Sequence, residues 1–462
     1  MTTASRQVAD VNGARYVLTR QLGRGGQGAV FEVKGGRLAA KLIFDTLPSR
    51  RERLRNQLIA VKRLQLVDLE IARPLEMLRE PALGYVMELL TGMQPLSGLS
   101  RPPSSSLAEW YIATGGLRRR LTLLARTGDV LAALHGKGLV YSDPSPHNIF
   151  VSEDVDATEV RLIDSDNIHY ASSAGASVVF TPTFGAPELL RRTSGVNSLT
   201  DAHAFAVLCF QTLSLVHPLI GDDIANDAPE REEEALAGEL PWIDHPSDSS
   251  NRCSVGIPRG LTLSPRLAEI AHRTFGEALK DPLKRPGVAE WTERLHAAAD
   301  ATVRCPECHG TYYLNAARCP WCDSPRPAIA TAEFRLWDPA LIHSSGVRSG
   351  PGGQLQRPLS ILSLGAGDSR VITRRLAGGH AGREAQREVV GVRFDGARVE
   401  LKALDGTAYR LTSPSGSRSA EVGSKPASML LKEGEASWTL HLGPADRLHR
   451  VVSFSLRKGT AR

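Results

Sequence analysis

The stretch LGRGGQGAV, residues 22–30, sets Gly23, Gly25 and Gly28 at the spacing GxGxxG ahead of Val30. In a dinucleotide-binding unit a helix opens directly after such glycines, and an acidic residue follows about twenty positions on. Here AVFEV continues in strand-like alternation, so the doubly wound dinucleotide fold is set aside. Within LAAKLI, Lys41 then places an ammonium on an otherwise apolar strand. A lysine facing inward needs an anion. A glycine-rich hairpin whose amides come close to phosphates, with Lys41 neutralising their charge, accounts for both features.

The chain has 462 residues, too many for one ordinary core. Residues 1–14 read as a flexible leader without an export signal. Residues 15–45 predict three short antiparallel strands, RRERLRNQLIAVKRLQ a helix, and IARPLEML and LGYVMELL further strands. From 107 the leucine spacing turns helical. The most apolar segment, from 204, is broken by Gln211, Ser214, His217 and Pro218, so a buried helix rather than a membrane span is expected. After 358 the segments ARVELKAL, TAYRLTS, SWTLHLG and RVVSFSLR have the period of strands. The formal net charge is +6, and residues 331–462 hold 20 Lys+Arg against 12 Asp+Glu. These cations are spread singly along strands, the pattern of a solvated surface, which argues against a nucleic-acid footprint.

Residues 141–150, YSDPSPHNIF, hold Asp143 and Asn148 on a connection stiffened by Pro144 and Pro146. Taken alone this is a tight turn. With the preceding hairpin and the segments VMELL, RLIDSDN, TPTFGAPELL, TDAHAFAVLCF and KDPLKRP, in this order, residues 15–300 resemble the protein-kinase superfamily. The resemblance implies a bilobal α+β fold, with a β-rich N-lobe (15–90) and an α-rich C-lobe (91–300). It implies ATP held under Gly23, Gly25, Gly28 and Val30, with Lys41 on its phosphates. Met87 corresponds to the gatekeeper, with Glu88 to Leu90 at the adenine. Asp143 stands for the catalytic aspartate, Asn148 and Asp164 for the magnesium ligands, and Thr181 for the threonine that Ser/Thr kinases keep beside the catalytic aspartate. Asp201 resembles the aspartate that holds the catalytic loop, and Arg285 the arginine that pairs with Glu188. Glu52, on the helix after Lys41, is the expected partner of that lysine. The chemistry suits these types: magnesium prefers oxygen ligands, and phosphoryl transfer is mainly alignment and charge neutralisation.

The sequence also departs from the family. Tyr141 and Ser142 replace the histidine and arginine before the catalytic aspartate. Serine cannot clamp a phosphate as arginine does, so activity without obligatory loop phosphorylation is expected. Ser145 replaces a lysine, which predicts slow turnover. DSD replaces DFG, and switching by a flip of that segment is not expected. Ser172, Ser173 and Ser177 are candidate autophosphorylation positions, with ordinary loop residues as the alternative.

Residues 301–328 contain CPECHGTYYLNAARCPWC. Two CxxC knuckles, Cys305 with Cys308 and Cys319 with Cys322, predict a closed structural zinc site, rubredoxin-like iron being the alternative. Unpaired thiols of this kind point to a reducing cytoplasm. Residues 329–358 read as a linker and 359–462 as a small β-rich accessory domain. A kinase followed by such a ribbon resembles a bacterial group associated with tellurium-resistance gene clusters. Its expected partners are a metal-dependent Ser/Thr phosphatase and a von Willebrand factor A domain protein, besides protein substrates. The function expected is Mg- and ATP-dependent Ser/Thr protein kinase, including autophosphorylation. A pseudokinase scaffold and a small-molecule phosphotransferase are the alternatives, and GAPELL argues against the latter.

Overall fold

A computed structural model describes residues 6–26, 28–103, 106–171, 180–226, 229–339 and 358–460. Ser172, Ser173 and Ser177 lie outside these residues.

The N-terminal part is one six-stranded antiparallel sheet. Its strands are β1 (Arg6–Ala9), β2 (Arg15–Gly25), β3 (Gly28–Val33), β4 (Leu38–Ile43), β5 (Glu76–Met77) and β6 (Gly84–Glu88), in the order β1-β2-β3-β4-β6-β5. The leader expected over 1–14 is corrected from Arg6 onward, because Arg6–Ala9 pairs with Arg15–Leu18. The Asp10 carboxylate closes the turn by accepting from the amides of Asn12 and Ala14 and from the Tyr16 hydroxyl. Backbone pairing, not apolar alternation, makes this strand, so its side-chain pattern carries little signal. Helix α1 (Pro48–Arg63) crosses between β4 and β5, with proline in its first turn and Lys62 and Arg63 in its last.

The second part is helical. Helices α2 (Leu107–Ala113), α3 (Gly116–Gly136), α4 (Pro187–Leu190) and α5 (Ser198–Ser214) precede the helix Val288–Asp300, which packs along α3. α5 is the segment expected as a buried helix. It starts on a capping box between Asn197 and Thr200 and is buried along nearly its whole length. Phe205, Phe210, Leu213, Trp291 and Leu295 belong to its core, and each buried large apolar side chain contributes roughly 1.5–3 kcal/mol. Two small sheets lie on this core. One has the order β10-β9-β7, from β7 (Met93–Pro95), β9 (Ile149–Ser152) and β10 (Val160–Leu162); the other pairs β8 (Leu139–Val140) with β11 (His169–Tyr170).

Beyond Asp300, β12 (Thr302–Arg304) and β13 (Thr311–Tyr313) form a hairpin whose core includes Val303, Cys305, Tyr312 and Cys319. Trp321 stacks on Tyr111 of α2 at 5.0 Å, and the Tyr313 hydroxyl donates to the Thr262 carbonyl. The expected linker over 329–358 is corrected in its first part. Residues Ile329–Trp337 form β14, which lies between β15 (Ser360–Gly365) and β23 (His449–Arg457). The alternating burial of IATAEFRLW is what places it inside the sheet. Residues 340–357 lie outside the described residues.

That sheet has the order β15-β14-β23-β22-β19-β20, with β19 (Tyr409–Thr412), β20 (Ser419–Val422) and β22 (Thr439–His441). A second sheet, β16-β17-β18-β21, comprises β16 (Ser369–Thr373), β17 (Glu388–Phe394), β18 (Arg398–Ala403) and β21 (Ala427–Leu430), and both contribute to one core. Arg118 of α3 joins the three parts: its amide donates to Thr311, its Nε to Thr302, and its Nη2 to Asp368 at 2.9 Å.

Candidate active site

Lys41 stands in β4 between Val30 of β3 and Tyr85 of β6, with Ala39 opposite Met87 one pleat away. Strand alternation therefore puts Ala39, Lys41, Tyr85 and Met87 on one face. The same geometry explains Gly28: a Cβ there would lie 2.1 Å from the Leu42 carbonyl oxygen. At Gly23 and Gly25 a Cβ would meet nothing within 4 Å, so the hairpin above the face stays bare. Glu88 ends β6 exposed, and Leu90 follows half-buried.

The Lys41 ammonium is buried and meets two carboxylates. It donates to Asp166 Oδ1 and Oδ2 at 2.9 and 3.0 Å, and to Asp164 Oδ1 at 3.1 Å. Burial alone would push the ammonium down, but Asp166 first and then Asp164 hold it above its usual range, so it stays charged. Glu52 does not take this place. It lies exposed on α1, because the turn of the helix that reaches the site presents Gln57, whose Nε2 donates to the Asp166 carbonyl at 2.6 Å. The partner expected at Glu52 is thus corrected.

The segment 164–167 is held at every residue. Asp164 has a left-handed backbone, φ 54°. Ser165 Oγ donates to the Ala72 carbonyl, Asp166 Oδ1 accepts from the Tyr85 hydroxyl at 3.3 Å, and the Asn167 carbonyl accepts from Ser142 Oγ at 3.1 Å. Sequence reasoning missed Asp166, Tyr85 and Gln57. The one acid that α1 offers in sequence, Glu52, turns outward, and nothing in the sequence marks Asp166 in its place.

Across the cleft, Asp143 accepts from Thr181 through the amide and the hydroxyl, and from Asn148 Nδ2 at 2.8 Å. Burial pushes the Asp143 carboxyl above its ordinary value, opposed by the Thr181 and Asn148 hydrogen bonds. Its loop is anchored from α5: Asp201 accepts from the amides of Tyr141 and Ser142 at 2.7 and 2.9 Å and pairs with His135 at 3.0 Å. Tyr141 also donates through its hydroxyl to the carbonyls of Asn148 and Ile163, joining the loop to the strand before Asp164. Glu188 and Arg285 form a buried two-pronged pair at 2.7 and 3.0 Å.

This donor set fits a magnesium nucleotide. Asn148 and Asp164 offer hard oxygen atoms, the Asp164 side chain is 36 % exposed, and a fixed ammonium lies beside it. The cysteines form a separate group. All four Sγ atoms lie within 4.8 Å of one another, with Cys305–Cys322 and Cys308–Cys319 at 3.6 Å. Tetrahedral zinc–thiolate bonds would set such sulfurs about 3.8 Å apart, so the set fits that ion.

Comparison with known proteins agrees with this geometry. Residues 16–293 match the family described as protein kinase domain. The chain is 30 % identical over 212 residues to the Myxococcus xanthus serine/threonine-protein kinase Pkn1, covering 43 % of this chain and 29 % of that protein. It is 28 % identical over 222 residues to the DNA damage-responsive serine/threonine-protein kinase RqkA of Deinococcus radiodurans, covering 45 % and 31 %. Protein kinase YegI of Escherichia coli is 24 % identical over 328 residues, covering 67 % and 49 %. The chain thus spans less than a third of the length of Pkn1 and RqkA. With a family match over more than half its length, laid on a sheet, a cleft and a helical body that carry its motifs in order, this chain belongs to the protein kinase family.

Proposed function

We propose that the protein is an ATP- and Mg-dependent Ser/Thr protein kinase that transfers the γ-phosphate of ATP to protein hydroxyls, its own among them. The reading is carried by the contact of Thr181 with Asp143, in a cleft that also holds Lys41, Asn148 and Asp164. The bound magnesium nucleotide supplies the phosphoryl group and neutralises its charge. Gly23, Gly25, Gly28 and Val30 cover it, and Met87 and the backbone of Glu88 to Leu90 line the base. Lys41 sits on the phosphates, and Asn148 and Asp164 hold the metal. Asp143 orients the substrate hydroxyl and takes its proton. Thr181 fixes the Asp143 carboxylate toward that hydroxyl.

The cysteine cluster holds a structural zinc, since four thiolates leave no open position. Protein substrates are the primary partners. A metal-dependent Ser/Thr phosphatase and a von Willebrand factor A domain protein are proposed as further ones, on the resemblance of the kinase–ribbon arrangement. A cytoplasmic setting fits unpaired cysteines, and no helix among the described residues is long and apolar enough to cross a membrane. The test incubates the protein with labelled ATP, magnesium and a generic protein substrate, beside Asp143→Ala and Asp164→Ala. Transfer lost in both variants, with label on serine or threonine, is expected. Transfer no higher than in the variants would leave a scaffold instead.

A further inference from the structure

We infer that Asp166 is the positioning residue that holds Lys41 toward the phosphates, so that α1 contributes no charge to the site. This rests on the kinase reading but names a residue that reading does not use. Lys41 has two carboxylate partners with different surroundings. The Asp164 side chain is 36 % exposed and has one oxygen on the ammonium. The Asp166 side chain is 7 % exposed and has both oxygens on it. A carboxylate that must also serve a metal is a poor permanent anchor for the lysine. Asp166 is confined instead: the Tyr85 hydroxyl reaches its Oδ1, and Gln57 holds its backbone carbonyl.

The helix side supports the same division. Over Pro48–Arg63 the one acidic residue is Glu52, and it is exposed. What α1 sends to the site is the neutral Gln57 amide, aimed at a backbone carbonyl and not at the ammonium. Lysine and its anchor therefore belong to the sheet and to the metal-binding turn. A rotation of α1 would withdraw only the Gln57 amide, whereas displacement of the turn 165–167 would leave Lys41 with Asp164 alone.

The experiment uses the full chain with Lys41→Met, Asp166→Asn, the two combined, Glu52→Ala, and Asp166→Gly joined to Gln57→Glu. Three readouts are taken: melting temperature without ligand, the dissociation constant for MgATP by calorimetry, and kcat. The melting losses of Lys41→Met and Asp166→Asn are expected to be non-additive, since the double variant removes a pair and not two independent groups. Asp166→Asn should lower kcat about a hundredfold and weaken MgATP binding by less, because the lysine is misplaced and not removed. Glu52→Ala should match the wild type in all three readouts, and the exchange of acid from turn to helix should recover kcat above Asp166→Asn. Additive melting losses, unchanged or higher turnover in Asp166→Asn, a loss in Glu52→Ala, or no recovery in a folded exchange variant would each overturn the inference. If the wild type transfers no more phosphate than Asp143→Ala, the kinase reading fails by itself. Melting coupling and nucleotide affinity then still decide whether Asp166 anchors Lys41.

Discussion

Thr181 grips Asp143 twice, its amide donating to Oδ1 at 2.9 Å and its hydroxyl to Oδ2 at 3.0 Å. Removing the hydroxyl takes away one hydrogen bond to a charged group, worth roughly 1.5–3 kcal/mol. Thr181→Val should therefore lower kcat by about ten- to a hundredfold, with little change in KM for ATP. The Asp143 carboxyl, raised by burial and held back in part by Thr181, should rise further in this variant. As a proton acceptor it works above its pKa, so the acid limb of the kcat profile moves to higher pH. Steady-state kinetics across pH checks both, and an unmoved limb would count against Asp143 as the titrating group.

The buried pair of Glu188 and Arg285 ties α4 to α5, because Arg285 Nη1 also donates to the Leu199 carbonyl. Breaking one partner of such a pair strands a charge and costs about 3–5 kcal/mol. Glu188→Gln and Arg285→Lys should both lower the melting temperature by several degrees, lysine failing to replace the two-pronged contact. A melting curve equal to wild type for Arg285→Lys would show that charge alone suffices.

Metal analysis of purified protein should find one zinc per chain. A zinc-binding hairpin this small folds only with its ion. Chelation, or Cys322→Ser, should loosen the contact of Trp321 with Tyr111 and lower the melting temperature of the kinase body with it. Recovery of iron in place of zinc would overturn the metal assignment.

The glycines of the hairpin should separate in their effects. Gly28→Ala drives a methyl against the Leu42 carbonyl, so β3 must shift from β4, and both stability and ATP affinity should fall. Gly25→Ala meets open space, so only ATP affinity is expected to fall, by loss of room for the phosphates. Thermal melting with and without nucleotide distinguishes the two cases.

Buried histidines contribute to the loss of stability expected in acid. His203 is held well below its ordinary range by burial and then by Arg285, and His441 is held at about 4 by burial, Arg410 and His449. Both are neutral in the fold, while the unfolded chain takes up their protons below about 6.5. Their contribution is complete above that pH and is lost as pH falls toward 4. The melting temperature should drop between pH 6.5 and 4.5, and His203→Phe should flatten part of that slope.

Much of this candidate site was legible because phosphoryl transfer, the proposed chemistry, asks for particular residue types in a fixed order. Gly28, Lys41, Asp143, Asn148, Asp164, Glu188 and Arg285 each satisfy a local need that a sequence records. Lys41's partner was not legible, since a carboxylate can reach one ammonium from a helix or from a turn. Only the orientation of α1, with Glu52 outward and Gln57 inward, decides between them. β1 was missed because its pairing depends on backbone groups and on the Asp10 turn. β14 was missed because the neighbouring residues 338–358 have the composition of a linker, and a strand's place at the middle of a sheet depends on partners far along the chain.

Arg118 gives the domain boundary a practical meaning. The family match ends at residue 293, yet Asp300, at the end of the helix Val288–Asp300, pairs with Arg370 and Arg375, and Arg118 reaches across to Asp368. Cutting the chain after residue 300 would strip the cover from Tyr111 and leave Asp300 and Arg118 without their counter-ions. A fragment trimmed to the family limits is therefore a different solute from the kinase body inside the whole chain, and its solubility and melting should be judged as such.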